Sequence, residues 1–139
     1  MTVLVAGLVG RDLETLVAFY SDVMGFAVVQ RRDFDAFGTV LSLQRGDARL
    51  KLFFPLEPAD AVAVVEPWYQ PGGWRYAALH LDDAAAVDAL AAAVDAGGGR
   101  LVLAPSEHRP GARMAVVTDS EHNTWELLYD PDVSSSSGG

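Results

Sequence analysis

The first half of the chain begins with one strand pattern, continues with a helix pattern and ends with three more strand patterns. The apolar run TVLVAGLVG predicts a buried strand, and in the following RDLETLVAFYSDVMGF the apolar residues recur at helical spacing. Asp12 can cap this helix at its N-terminus, and Gly25 supplies a stop at its C-terminus. The runs FAVVQRR, GTVLSLQ and ARLKLFFP each predict a strand. The first half is therefore predicted to fold as β-α-β-β-β.

The second half repeats the same order of patterns. RYAALHL predicts a strand, DDAAAVDALAAAVDAGGG a helix opened by Asp82 or Asp83, and RLVLAP, ARMAVVTD and NTWELLYD three more strands. The segments SEHRPG and SEH are predicted turns, which places His108 and His122 in turns. The helix-opening aspartates lie 83 − 12 = 71 positions apart, and the glycine stops lie 97 − 25 = 72 apart. This period is too long for a solenoid repeat and predicts two copies of one module.

The two modules are expected to form a single domain over residues 1–133. Module 1 covers residues 1–55, the connector residues 56–73 and module 2 residues 74–133. The connector contains three of the seven prolines, and a fourth, Pro55, directly precedes it. The tail SSSSGG, residues 134–139, is low in complexity and cannot bury apolar surface, so we expect it to be disordered or a remnant of cloning.

Composition narrows the classes of function. The chain has 139 residues, of which half are hydrophobic, enough for one domain with a core. No apolar run approaches the roughly 20 residues of a membrane helix, so we expect a cytoplasmic protein with no membrane partner. The absence of cysteine leaves His and carboxylates as the plausible metal ligands. The net charge of −9 opposes attraction to phosphate backbones, which argues against nucleic acid as a partner.

Two motifs connect this duplicated pattern with a known family. DLETLVAFYSDVMGF is similar to an Asp-Leu, Phe-Tyr and Leu-Gly-Phe pattern, and DSEHNTWELLYD to an Asp-Pro-Asp-Gly-Asn, apolar, Glu-Leu ending. In these motifs the chain resembles the vicinal-oxygen-chelate superfamily, which contains glyoxalase I, extradiol dioxygenases, fosfomycin-resistance enzymes and bleomycin-binding proteins. The resemblance implies an α+β fold in which two tandem β-α-β-β-β modules form half-barrels around a cavity, within one chain or across a homodimer.

The resemblance also indicates where metal-using relatives place their four metal ligands. Those positions correspond to Val5, Lys51, Tyr76 and Glu126, and only Glu126 is a ligand of the usual kind. We therefore predict no metal and no other cofactor. A metal enzyme with shifted ligands, drawn from His80, Glu126 and Tyr76, is kept as an alternative.

Strand alternation then divides side chains between cavity and core. Three sets are expected to face the cavity, one from each of three strands: Arg49, Lys51 and Phe53; Tyr76, Ala78 and His80; Thr124, Glu126 and Leu128. The residues between them are apolar and are expected to pack in the core, under the helices.

Three charged or titratable residues of the expected cavity have two interpretations each. Lys51 and Glu126 occupy matching positions with opposite charges, so an ammonium–carboxylate pair could stand where a metal would be. Alternatively, Lys51 is solvated and Glu126 is bound by a Tyr hydroxyl or backbone donors. His80 could act as a base near neutral pH or serve as a hydrogen-bonded wall residue.

Aromatic residues suggest how a ligand would be held. The segment EPWYQPGGWRY supplies Trp68, Trp74 and Tyr76, and the loop RRDFDAFGT adds Phe34 and Phe37. Such rings offer flat surfaces to planar or cationic ligands. The alternatives are a loop fixed to the core, a dimer interface or ordinary hairpin packing.

The sequence favours metal-independent binding of a bulky aromatic or cationic small molecule, with antibiotic sequestration or self-resistance as the role that the bleomycin-resistance branch implies. The expected ligand-binding residues are Phe34, Phe37, Lys51, Phe53, Trp68, Trp74, Tyr76, His80 and Glu126. The alternative is a metal-independent isomerase, cyclase or lyase in which His80 or Glu126 moves a proton and Lys51 or Tyr76 stabilises the developing charge. The expected partners are the small molecule and a second copy of the chain.

Overall fold

The structure, a computed structural model, describes residues 2–136. The chain divides between Val64 and Val65 into two compact units. Each unit contains one four-stranded sheet. None of the helices in residues 2–136 combines the length and the apolar character that crossing a membrane requires.

The first unit has the β-α-β-β-β order expected for module 1. Its elements are β1 (Val5–Val9), α1 (Leu13–Ala18), which continues as a π-helical turn (Phe19–Val23), β2 (Ala27–Phe34), β3 (Gly38–Arg45) and β4 (Ala48–Pro55). The strands lie in the order β1-β4-β3-β2, with β1 parallel to β4 and the other pairs antiparallel. The Asp12 carboxylate accepts the Thr15 N–H at 3.1 Å and so caps α1 as the sequence predicts.

The second unit repeats this order and adds one short helix. Its elements are β5 (Tyr76–His80), α2 (Ala84–Ala96), β6 (Arg100–Arg109), β7 (Ala112–Thr118), β8 (Thr124–Tyr129) and α3 (Pro131–Ser136). The strand order, β5-β8-β7-β6, matches that of the first sheet. The α+β class and the duplicated module are confirmed. Residues 134–136 of the predicted disordered tail form the end of α3, and residues 137–139 lie outside the described residues.

One predicted turn is wrong. The segment SEHRPG was expected to follow a strand that ends at residue 105, but β6 continues to Arg109 and includes His108. The pairing of β6 with β7 shifts register three times, between residues 101 and 109. Such bulges insert unpaired residues and break the alternation on which a strand prediction depends. Because β6 is an edge strand, its polar residues can stay exposed, as His108 does.

Each sheet buries one face against a helix. In the first unit, Leu50 and Leu52 on β4 are 1% and 0% exposed, and Leu16 on α1 is fully buried. In the second unit, α2 packs on β6, β7 and β8. We call the opposite face of each sheet, on which the alternate side chains lie, its open face. The open faces carry residues that the sequence assigns to ligand binding, among them Lys51 and Phe53 in the first unit and Glu126 in the second.

Candidate functional site

The open face of the first sheet is organised in rows of paired residues. Lys51 on β4 lies opposite Gly7 on β1 and Ser42 on β3. Arg49 and Phe53 occupy the neighbouring rows, two residues away on either side. Residues two apart on one strand project to the same face, so Arg49, Lys51 and Phe53 share the open face, as the alternation predicts. Their directly paired partners on β1 and β3 project to that face as well.

Three phenylalanines form a cluster at one end of this face. Phe34 stacks on Phe37 with ring centroids 4.5 Å apart, and Phe37 meets Phe53 edge-on at 5.9 Å. We call these three residues the Phe cluster. Phe34 and Phe37 are 37% and 47% exposed. The structure thus joins three of the rings that the sequence assigns to ligand binding, and it leaves part of their surface open.

A β-bulge decides which arginine of β2 joins the open face. The register between β2 and β3 shifts between Val28 and Gln30, and beyond the shift Arg32 lies opposite Val40. Because Val40 in turn lies opposite Phe53, Arg32 is on the open face. Arg31 lies on the other face, with its Nη2 atom 3.3 Å from the Asp33 carboxylate.

The open face of the second sheet carries Glu126. Its neighbours across the strands are Ala78 on β5 and Val116 on β7, and Glu126 itself is half-buried. Among residues 2–136, the structure records no hydrogen bond or ion pair for the Glu126 side chain. The Tyr or backbone donors considered as its partners are therefore not found in the described part of the chain. Lys51 and Glu126 belong to different units.

His80 is tied to the end of β8. The backbone N–H of Asp130 donates to His80 Nε2 at 3.0 Å, and the Tyr129 ring lies 5.9 Å from the imidazole. The same Nε2 atom lies 3.3 Å from the Asp130 carbonyl oxygen, so whether it donates or accepts depends on the tautomer of the ring. This arrangement is that of a hydrogen-bonded wall residue.

The structure brings together two of the aromatic residues expected from the connector and separates the third. Trp68 meets Tyr76 edge-to-face at 5.2 Å, and it also contacts Tyr69 at 5.6 Å. Trp74 is 97% exposed, and no ring contact is found for it among the described residues. Trp68 and Tyr76 therefore form a second aromatic pair, at the start of β5.

The turn before β8 explains part of the motif DSEHNTWELLYD. Asp119 is 3% exposed, and its carboxylate accepts the backbone N–H groups of Glu121 and Asn123 at 2.8 and 2.9 Å. His122, at the position of glycine in the family pattern, has a φ of 66°. Asp119 thus holds a turn that contains a left-handed residue, and this turn sets the register of β8.

An ion pair closes the other end of β8. Arg109 donates to the Asp130 carboxylate, and its Nη1 atom lies 3.2 Å from Asp132. The hydrogen bond from Arg109 is the main reason why the pKa of Asp130 lies below its ordinary value of 3.8, and the Asp132 N–H adds to the effect. The same hydrogen bond raises the pKa of Arg109.

This ion pair predicts a pH-dependent stability. A carboxylate whose folded pKa is lowered stabilises the fold above its unfolded pKa, and it loses that contribution as the pH falls through the folded value. We expect Asp130→Asn to lower the urea midpoint near about pH 7, with the difference from wild type shrinking as the pH falls below the ordinary carboxylate pKa of 3.8. Asp95→Asn, at an exposed carboxylate of α2, is the control and should match wild type throughout. A constant difference for Asp130→Asn at all pH values would contradict the ion-pair explanation.

The donor set does not fit a metal ion. Of the four positions that the family resemblance assigns to ligands, Val5 has no donor atom and Lys51 brings a cation, so Glu126 is the usual ligand that remains. In the part of the chain that the structure describes, no group of three or more His, Asp or Glu residues could hold a metal. No step proposed below passes through a metal.

Sequence reasoning missed Arg32 as a site residue. Simple alternation along FAVVQRRDF does not show which of two adjacent arginines faces the ligand, because the bulge between Val28 and Gln30 reverses the assignment. It also missed the Arg109–Asp130 pair, whose members lie 21 positions apart and meet only once β6 extends to Arg109. No local pattern in the sequence signals either feature.

Comparison with solved structures shows the fold of the chain. A glyoxalase family protein from Bacillus cereus is 16% identical with a TM-score of 0.74, and the match covers 89% of this chain and 90% of that chain. A glyoxalase-related enzyme from Fulvimarina pelagi is 21% identical with a TM-score of 0.67, covering 94% and 88%. TioX from Micromonospora sp. ML1 is 22% identical with a TM-score of 0.66, covering 93% and 98%.

Comparison of sequences identifies the family. No curated protein sequence matches the chain. Residues 2–127 match the family model described as Glyoxalase/Bleomycin resistance protein/Dioxygenase superfamily, which confirms the resemblance found in the motifs. The chain belongs to the glyoxalase/bleomycin resistance protein/dioxygenase superfamily.

Proposed function

We propose that this chain binds a bulky aromatic small molecule without a metal ion or other cofactor, and that binding sequesters the molecule, as in antibiotic self-resistance. The Phe cluster carries the proposal. Two of its rings are more than a third exposed on an open sheet face. A ligand that covers their apolar surface removes it from water, which is favourable in free energy. Offset and edge-on arrangements such as those of Phe34, Phe37 and Phe53 are the ones by which aromatic groups associate.

The second open face supports the same function. Trp68 and Tyr76 present two further rings in edge-to-face contact, next to the strand that carries His80. We propose that, on the second open face, Trp68, Trp74 and Tyr76 contact the aromatic body of a ligand, while His80 and Glu126 orient its polar groups. Arg32, Arg49 and Lys51, which share the first open face, favour an aromatic ligand over a cationic one, because they would repel a positive charge.

The alternative function, a metal-independent isomerase, cyclase or lyase, needs a free base. His80 Nε2 is already in contact with the backbone of Asp130, so His80 is better suited to hold the end of β8 than to take a proton from a substrate. Glu126 remains the base that such an enzyme would use.

The proposal is tested by titrating the protein with N-phenyl-1-naphthylamine, a neutral aromatic probe whose fluorescence rises in apolar surroundings. We expect saturable binding, and we expect Phe37→Ala to weaken it about tenfold because the central ring of the Phe cluster is lost. Leu4→Ala is the control, since Leu4 is 87% exposed and precedes β1, and it should leave the affinity unchanged. Absence of saturable binding, or equal affinities of all three proteins, would contradict the proposal.

We also propose that the chain forms a homodimer. The 97% exposure of Trp74 supports this, because an interface that covers its ring would remove a large apolar surface from water. Light scattering on the titrated sample should give the mass of two chains, and the mass of one chain would contradict the proposal. A cytoplasmic location, expected from the composition, stays a prediction.

A further inference from the structure

Three cations lie on the open face of the first sheet without a partner. Arg32, Arg49 and Lys51 come from β2 and β4, and for none of them does the structure record a hydrogen bond or an ion pair among residues 2–136. All three are exposed. The sheet register places no Asp or Glu residue on this face in the described part of the chain.

The composition of the chain makes this arrangement unexpected. There are 19 acidic residues and 10 basic ones, so an acidic neighbour would be the ordinary surrounding of an arginine. Arg31 has such a neighbour, Asp33, on the opposite face of the same strand. Arg49 and Lys51 are two residues apart on β4, where like charges repel one another, and a bound anion would offset that repulsion.

The spacing of the cations fits a small ligand. Residues two apart on a strand lie about 7 Å from each other, so Lys51 is about 7 Å from both Arg49 and Phe53 along β4. Arg32 is two strands away from β4, which is about 10 Å. A ligand held by the Phe cluster therefore has Lys51 and Arg32 as its nearest cations, and Arg49 lies about 14 Å from Phe53 along β4. Ser42 on β3 lies opposite Lys51, and it adds a hydroxyl donor between β2 and β4.

We propose that the ligand of this face is an aromatic molecule that carries an anionic group, a carboxylate, sulfonate or phosphate. Arg32, Arg49 and Lys51 bind the anion, and the Phe cluster holds the aromatic body. Arginine and lysine bind such groups through charge-assisted hydrogen bonds, which are shorter and stronger than neutral ones. This inference rests on the proposed function and adds the charge class of the ligand.

A matched pair of probes separates the inference from the proposed function. 8-Anilinonaphthalene-1-sulfonate and N-phenyl-1-naphthylamine share their ring system and differ in the sulfonate. We expect the sulfonate to bind about tenfold more tightly at low salt and to lose this advantage at high salt, while the neutral probe is insensitive to salt. Arg32→Gln, Arg49→Gln and Lys51→Met should each weaken binding of the sulfonate about threefold to tenfold, and should weaken binding of the sulfonate more than binding of the neutral probe.

Arg31→Gln is the matched control, since Arg31 precedes Arg32 on the same strand and lies on the other face. It should change the affinity of neither probe. A second measurement uses the fact that Lys51 is the only lysine in the chain. Acetylation by an N-hydroxysuccinimide ester, mapped by peptide mass, should be slowed at Lys51 by the sulfonate more than by the neutral probe.

The outcomes distinguish the two claims. If neither probe binds, the proposed function fails. If both probes bind equally, or if the substitutions at Arg32, Arg49 and Lys51 leave binding of the sulfonate unchanged, the anionic ligand is ruled out and the aromatic function stands. A tenfold preference for the sulfonate that these substitutions abolish, with Arg31→Gln unaffected, supports the inference.

Discussion

Gly38→Ala is expected to destabilise the first unit by about 2 to 4 kcal/mol. Gly38 begins β3 with a φ of 136°, which alanine rarely adopts, and a Cβ atom there would lie 2.1 Å from the backbone oxygen of Phe54. The clash is with backbone on both sides, since the Leu56 nitrogen lies 3.0 Å away, so no side-chain movement relieves it. Because Phe37 precedes Gly38, the substitution should also disturb the Phe cluster and weaken binding of N-phenyl-1-naphthylamine.

Gly46→Ala is the control for this prediction. Gly46 lies in the turn between β3 and β4 with a φ of 55°, but nothing lies within 4 Å of the position of its Cβ atom. Gly46→Ala should lower the free energy of unfolding by about 1 kcal/mol, the cost of the left-handed conformation alone. Urea unfolding should be followed by far-UV circular dichroism, because all three tryptophans lie in the second unit. Equal losses in the two variants would show that the close approach at Gly38 is not present.

Leu127→Ala is expected to destabilise the second unit by about 2 to 5 kcal/mol. Leu127 is 0% exposed and lies on β8 between Leu79 on β5 and Ala115 on β7. Removing its side chain leaves a cavity under α2 that the surrounding core can close only in part. Fluorescence of Trp125, which is 5% exposed on the same strand, reports the unfolding.

Leu128→Ala separates burial from residue type. Leu128 is the next residue of β8, it lies on the open face opposite His80, and it is only half-buried. We expect Leu128→Ala to lower the free energy of unfolding by about 1 kcal/mol or less. Equal losses at the two positions would mean that β8 does not present alternate faces as described, and the assignment of Glu126 to the open face would then be wrong.

The fold was predictable from the sequence because its signals are local. The cap of α1 by Asp12 and the cap of α2 by Asp83 follow from residue type and position, and both are present. The alternation along β4 correctly assigned Leu50 and Leu52 to the core and Lys51 to the open face. The alternation along β4 holds because this strand lies inside its sheet and its register is regular.

The parts that could not be predicted depend on register and on distant contacts. A single bulge in β2 exchanges the faces of Arg31 and Arg32, and the register shifts in β6 carry His108 out of a predicted turn. The link between His80 and Asp130 joins residues 50 positions apart, so it becomes visible only when β5 lies beside β8. Trp68 and Trp74 are close in the sequence. The ring of Trp68 contacts Tyr76, and no such contact is found for the ring of Trp74 among residues 2–136.

The proposed function depends on binding of an aromatic ligand without a metal. The most direct test is a titration of the wild-type protein with N-phenyl-1-naphthylamine in excess EDTA, repeated after dialysis into buffer that contains Zn²⁺ or Ni²⁺. We expect saturable binding in EDTA with an affinity that the metals leave unchanged. Binding that disappears in EDTA and returns with either metal, or no binding under any of these conditions, would contradict the proposed function.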